Sequence, residues 1–240
     1  MPSLRNLLAA AIATLSLIAI GCGGSEPNAT STPVPTPVVD VAALLSQSGA
    51  VMERLQSFHF RLYHDAGSLE ITQGLFIDDV EGDIVKPDRI SVTFRGNLGG
   101  FAIESSIISI GDTGYLTNPL TGRWETGPAD LNSLGFFSPS EGIAAMKSQV
   151  RDAILLSGGE VPAGSYRIGG KLQATALSPL IGTAILEDAV LDLELVIDSE
   201  QHYLVEARFT GRAVASDLED ATRVIEISAF DEPISIDPPL

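Results

Sequence analysis

Leu191-Asp192-Leu193-Glu194-Leu195-Val196-Ile197-Asp198 is the stretch that decides the fold. Successive side chains of a strand point to opposite faces. Leu191, Leu193, Leu195 and Ile197 therefore share one face, with Asp192, Glu194 and Asp198 on the other. Only Val196 breaks the alternation. A helix would scatter these residues around its axis, so the segment reads as a half-buried strand of an antiparallel sheet with one solvated face.

The same two-residue period recurs in both directions. Downstream, Tyr203, Val205, Ala207 and Phe209 alternate with Leu204, Glu206 and Arg208, and Ile225, Ile227 and Ala229 with Glu226 and Ser228. Upstream, Tyr166, Ile168 and Leu172 alternate with Arg167, Gly169 and Lys171. Further back come Phe58, Phe60 and Leu62, then Ile90, Val92 and Phe94. Phe101, Ile103 and Ile107 share a parity broken by Ser105 and Ser109. Turn signals at Asp65-Ala66-Gly67, Lys86-Pro87-Asp88, Gly96-Asn97 and Gly99-Gly100 make the runs antiparallel neighbours.

Two helices interrupt the strands. Asp40 is an N-cap, followed by Val41, Leu44, Leu45, Ser48, Val51, Met52 and Leu55 at helical spacing, ending near Ser57. Ser138, Pro139 and Glu141 make a capping box with proline at the first helical position. Ile143, Met146, Val150 and Ile154 then form a stripe that Gly158-Gly159 stops.

The expected architecture is α+β. About nine or ten one-faced strands are too many for a flat sheet, because neighbours twist by roughly 20–25°. The apolar face becomes the concave side of a half barrel, with two or more helices on it. What the helices leave uncovered is either filled by large side chains or left as a cavity. The aliphatic lining, with only 6% aromatic residues in the chain, suits acyl chains. By strand parity the cavity candidates are Ile90, Val92, Phe94, Phe101, Ile103, Leu191, Leu193, Leu195, Val205 and Ile227.

The N-terminal segment sets the compartment. Arg5 precedes an apolar run from Leu7 to Ile20, shorter than the roughly 20 residues a spanning helix needs. The run ends Ala19-Ile20-Gly21-Cys22, at the chain's one cysteine, so no intramolecular disulfide is available. Residues 1–21 read as a lipoprotein signal peptide and Cys22 as the lipidated residue, acylated with diacylglycerol and palmitate. Residues 22–39, rich in Pro, Ser and Thr, read as a tether, and 40–240 as one domain. The expected location is the extracytoplasmic face of the bacterial cell membrane. With 31 acidic against 14 basic residues the net charge is −17, and losing Arg5 makes it −18. Such a surface repels nucleic acid.

Several stretches together resemble the LppX/LprAFG lipoprotein family. They are the lipobox Cys22, the entry helix into Ser57-Phe58-His59-Phe60, and Ser138-Pro139-Ser140-Glu141-Gly142. Leu195-Val196-Ile197-Asp198 followed by Tyr203-Leu204-Val205-Glu206, and the closing Ile225–Pro233 stretch, complete the set. The resemblance implies a half-barrel sheet related to the carriers LolA and LolB, and lipids or lipoglycans carried across the cell envelope in a large apolar cavity. It implies no catalytic residues.

Enzymatic motifs such as Gly-x-Ser-x-Gly or His-Glu-x-x-His are missing from the sequence. His59, His64 and His202 show no metal-ligand spacing. Asp78-Asp79-Val80-Glu81-Gly82-Asp83 reads as a solvated acidic turn rather than a calcium loop, and Trp124 as a core plug. The expectation is a monomeric, non-catalytic lipid carrier with no cofactor and no metal, and with an envelope transporter as a candidate partner. The alternative is a surface lipoprotein with a filled core, acting as a structural or protein-interaction module.

Overall fold

In this computed structural model of the chain the described residues are 39–72, 74–128, 149–158, 162–178 and 185–239. They belong to one compact unit, Val38–Leu240. The signal peptide, Cys22 and all of the tether but Val39 lie outside the described residues.

The chain enters through α1 (Val41–Arg54). Asp40 caps it, its Oδ1 accepting from the Ala43 N–H at 3.0 Å. Leu44, Leu45, Ser48 and Met52 are the buried face of α1, on the predicted stripe. Among the described residues twelve strands follow: β1 (Ser57–Ala66), β2 (Leu69–Thr72), β3 (Leu75–Val85), β4 (Arg89–Leu98), β5 (Phe101–Ile110), β6 (Thr113–Thr117), β7 (Trp124–Pro128), β8 (Arg151–Leu155), β9 (Ser165–Gln173), β10 (Val190–Asp198), β11 (Leu204–Thr210) and β12 (Thr222–Ser228). They make one antiparallel sheet in the order β7-β6-β5-β4-β3-β1-β12-β11-β10-β9-β8, with β2 paired to β3. Two meanders, one from each half of the chain, meet where the first strand pairs with the last. There Phe60 lies opposite Ile227 and Leu62 opposite Ile225.

The curved, open antiparallel sheet is as expected, but the helical cover is not. Among the described residues there is one α-helix and one short 3-10 turn, Ala174–Leu177. The start of the second predicted helix, Ser138 to Met146, lies outside the described residues. Its predicted end is corrected: residues 151–155 form β8, with Ile154 opposite Gly169 and Leu155 opposite Ile168. The Val150–Ile154 spacing suits a helix, but pairing onto the free edge of β9 satisfies the backbone instead. Gly169 and Gly170 let β8 come close. A Cβ at Gly170 would lie 2.9 Å from Val150 Cγ1.

A second correction concerns Asp78–Asp83, which is strand rather than turn. It forms the middle of β3, between β1 and β4. Val80 and Gly82 face inward opposite Leu62 and Phe60. Asp79, Glu81 and Asp83 face outward to basic partners. Arg61 and Arg95 both bond Asp79, Arg95 also reaches Glu81 and Glu104, and His59 Nδ1 is 2.8 Å from Asp83. The charged outer face continues through Arg167–Glu194 and Lys171–Asp192. Tyr63 donates to Glu226 at 2.9 Å on this face.

Two predictions follow from this arrangement. Gly82 makes room for Phe60, since a Cβ there would lie 2.2 Å from Ser91 O and 3.1 Å from Phe60 Cζ. Gly82→Ala should therefore lower stability by about 1–3 kcal/mol or more in urea unfolding. Gly127→Ala, whose Cβ would meet nothing within 4 Å, should stay within about 0.5 kcal/mol. Burial, and secondarily the bond to Glu226, pushes the Tyr63 phenol up to about 12. Its stabilising contribution is complete below pH ~10 and is lost as pH rises from there through about 12. Tyrosinate absorbance should show a late-titrating component that Tyr63→Phe removes.

Candidate functional site

The register sorts the inner face into rows that run across the sheet, and the rows differ in exposure. One row passes through Leu62, Ile225, Ala207, Leu195 and Ile168. All five are buried. Met52 of α1 lies against this half, its sulfur 3.4 Å from the Leu204 nitrogen. Another row runs the opposite way from Phe60 through Gly82, Val92 and Ile107 to Leu116. Here exposure climbs with distance from β1, and Leu116 is exposed. The next rows behave alike: Ile103 is half-buried beside Gly96, and Phe101 opposite Leu98 is 76% exposed.

The candidates therefore divide. Leu191, Leu193, Leu195 and Ile227 face inward and are sealed within the continuous core. Ile90, Val92, Phe94 and Ile103 share the inner parity on β4 and β5. Val92 is buried, and the other three are half-buried. Phe101 shares the parity but sits at the hairpin tip. Val205 does not hold its predicted place. A bulge between Val196 and Ile197 puts Leu204 opposite Ile197, so Leu204 is buried and Val205 only half-buried. Trp124 is no core plug: it starts edge strand β7 and is exposed. The serines that broke the β5 pattern face inward too, and Ser105 satisfies its hydroxyl by donating to Thr117 O at 2.6 Å.

A buried ion pair on the inner face was not foreseen. Arg223 precedes Ile225 and Ile227 on the apolar parity of β12, and that position was the available signal. Its Nη2 donates to Asp217 Oδ1 at 2.5 Å, with the two side chains 2% and 1% exposed. Asp217 Oδ2 accepts from the Ala213 and Val214 N–H groups at 2.7 and 3.0 Å. His64 is the cross-strand neighbour of Arg223. Burial holds its imidazole below the usual histidine range, and the Arg223 charge adds to this.

The sealed and open halves predict different mutational costs. Leu193→Ala should cost about 2–5 kcal/mol as a core cavity. Ile103→Ala, half-exposed, should cost less than about 1.5 kcal/mol in the same urea titration.

The comparisons agree with this architecture. The family model described as LppX_LprAFG lipoprotein matches residues 40–236. The lipoarabinomannan carrier protein LprG of Mycolicibacterium hassiacum is 27% identical over 243 residues, covering 98% of this chain and 97% of that protein. The crystal structure of LprF from Mycobacterium bovis superposes with a TM-score of 0.62 at 15% identity, over 83% of this chain and 96% of that one. Lipoprotein LppX from Mycobacterium tuberculosis gives 0.56 at 16% identity, over 82% and 98%. These two likenesses show a shared fold. The family match covers most of the sequence, and the chain belongs to the LppX_LprAFG lipoprotein family.

Proposed function

We propose that this chain is a lipoprotein anchored through acylated Cys22 at the outer face of the cell membrane. Its inner sheet face takes up the acyl chains of a lipid or lipoglycan and carries the molecule across the envelope without catalysis. The observation that carries this reading is the open half of the inner face, where Ile90, Phe94 and Ile103 remain partly exposed. An acyl chain laid on such a surface gains roughly 0.8 kcal/mol per buried CH₂, so a few methylenes already outweigh a hydrogen bond. The relative named as a lipoarabinomannan carrier supports a ligand of this class. Residues 22–39 would act as the leash, spanning roughly 20–25 Å as a coil. A filled-core interaction module is the competing reading, and the sealed half around Leu193 and Leu195 is what favours it.

Native mass spectrometry of the full chain extracted from a bacterial membrane tests the proposal. The expected spectrum carries the covalent acyl increment at Cys22 and a second, dissociable acyl lipid. Cys22→Ser should lose the first and keep the second. A chain that holds no dissociable acyl lipid after loading from mixed lipid vesicles would refute the carrier reading.

A further inference from the structure

Two turns at one end of the β4–β7 half differ from the rest of this acidic surface. Leu98-Gly99-Gly100-Phe101 turns β4 into β5, and residues 118–123 join β6 to β7. The register puts both tips at the same end. The β6–β7 hairpin runs past Ser105, whose hydroxyl donates to Thr117 O, toward the end where Leu98 pairs with Phe101. Phe101 is 76% and Leu120 81% exposed, and Leu98 and Trp124 are exposed as well. Neither tip holds a carboxylate, in a chain with 31 Asp and Glu residues, and Arg123 gives the second a positive charge. The flanking Glu104 and Glu125 sit back on the strands, bonded to Arg95 and Asn118. At the opposite end of the same strands the turns present Lys86, Asp88, Arg89 and Asp112 instead.

The turn N–H groups of both tips are already paired. Gly99 N donates to Gly74 O at 2.9 Å, and Gly100 N to Asn97 Oδ1 at 2.8 Å. Asn118 Oδ1 accepts from the Leu120 and Thr121 N–H groups at 3.0 and 3.2 Å, and Asn118 O from Gly122 N at 2.8 Å. Pro119 has no N–H to place. An unpaired N–H holds a loop in water, because it loses its partner on entering an apolar medium. Here that cost is already met. A Phe or Leu side chain leaving water then gains roughly tenfold to a hundredfold in partitioning. A Cβ on Gly99, Gly100 or Gly122 would meet nothing within 4 Å, so both tips stand clear of the rest of the chain.

Charge and reach select the occupant. At a net charge of −17 most of the surface is repelled by anionic headgroups, and the carboxylate-free tips are where approach costs least. A fluid bilayer closes around each protruding side chain, whereas a folded partner needs a matched, continuous face. Residues 22–39, a leash of roughly 20–25 Å as a coil, hold the domain within that distance of the membrane. We propose that the β4–β5 and β6–β7 tips dock on a phospholipid bilayer. Phe101 and Leu120 enter the acyl region, and Arg123 and Trp124 lie at the headgroups. This rests on the anchored-carrier reading and adds an orientation to it. Ile103 follows Phe101 on the same inward parity, so docking brings the open half of the inner face to the bilayer.

Trp124 is the chain's one tryptophan, so its emission reports on the second tip. The acylated chain, extracted whole from a bacterial membrane, is reconstituted into phosphatidylcholine vesicles with and without acyl chains brominated near the headgroup. Bromine should quench most of the Trp124 emission. The double variant F101S/L120S should lose that quenching while still floating with the vesicles. Both replaced side chains are exposed, so the variant should keep the parent's melting temperature. A parent that floats without quenching overturns the docking. So does quenching that survives in F101S/L120S, which would come from lipid held on the inner face. A parent that is a dimer in detergent, with F101S/L120S a monomer, assigns the tips to a second copy and also overturns it. A parent that does not float at all contradicts the anchored reading and the docking together.

Discussion

The pairing of β1 with β12 is the constraint on which the rest of the molecule depends. Without it the chain is two separate meanders, each with one apolar face and nothing broad enough to bury it. With it, Phe60 and Leu62 of the first strand meet Ile227 and Ile225 of the last, and a single twelve-stranded surface results. The contact joins residues about as far apart in sequence as the domain allows, so its loop-closure cost is among the largest in the fold. Hydrophobic burial has to supply the return, because the outer-face ion pairs are solvent-exposed and each contributes little. The inward residues of β1 and β12 are buried, and exposure rises toward β6 and β7.

This gradient divides the labour of the inner face. α1 lies against the half built from the later strands, where the inward leucines and isoleucines of β9 to β12 are buried. The β4–β6 half has the same inward parity but less cover. Its residues are the same types in the same pattern. Packing alone separates structural core from candidate binding surface.

That division explains what could be read from the sequence. Period-two alternation identified the strands and most inward residues, because it reports which face is apolar and needs no knowledge of neighbours. It could not distinguish Leu193, which is sealed, from Ile103, which is half-open, since cover comes from a third element. Asp78–Asp83 was misread because three outward carboxylates outweigh two small inward residues in any local count. Their arginine partners, Arg61 and Arg95, sit on other strands. Val205 failed for a different reason: a bulge shifts parity by one residue without altering composition. Arg223 stood in plain view on an apolar parity, yet its meaning required Asp217, brought in by the loop after β11.

The family match supports a lipid-carrier reading, and the partly exposed apolar rows are the surface on which the proposed ligand would lie. The claim that joins them is that acyl chains lie along β4 and β5. The most direct measurement is methyl NMR of the isoleucine δ1 groups with a fatty ester spin-labelled along its chain. Paramagnetic broadening centred on Ile90 and Ile103, and weak at the outward Ile108 and Ile110, is the result this account predicts. Broadening centred on the outward methyls, or none at saturating ligand, would contradict it.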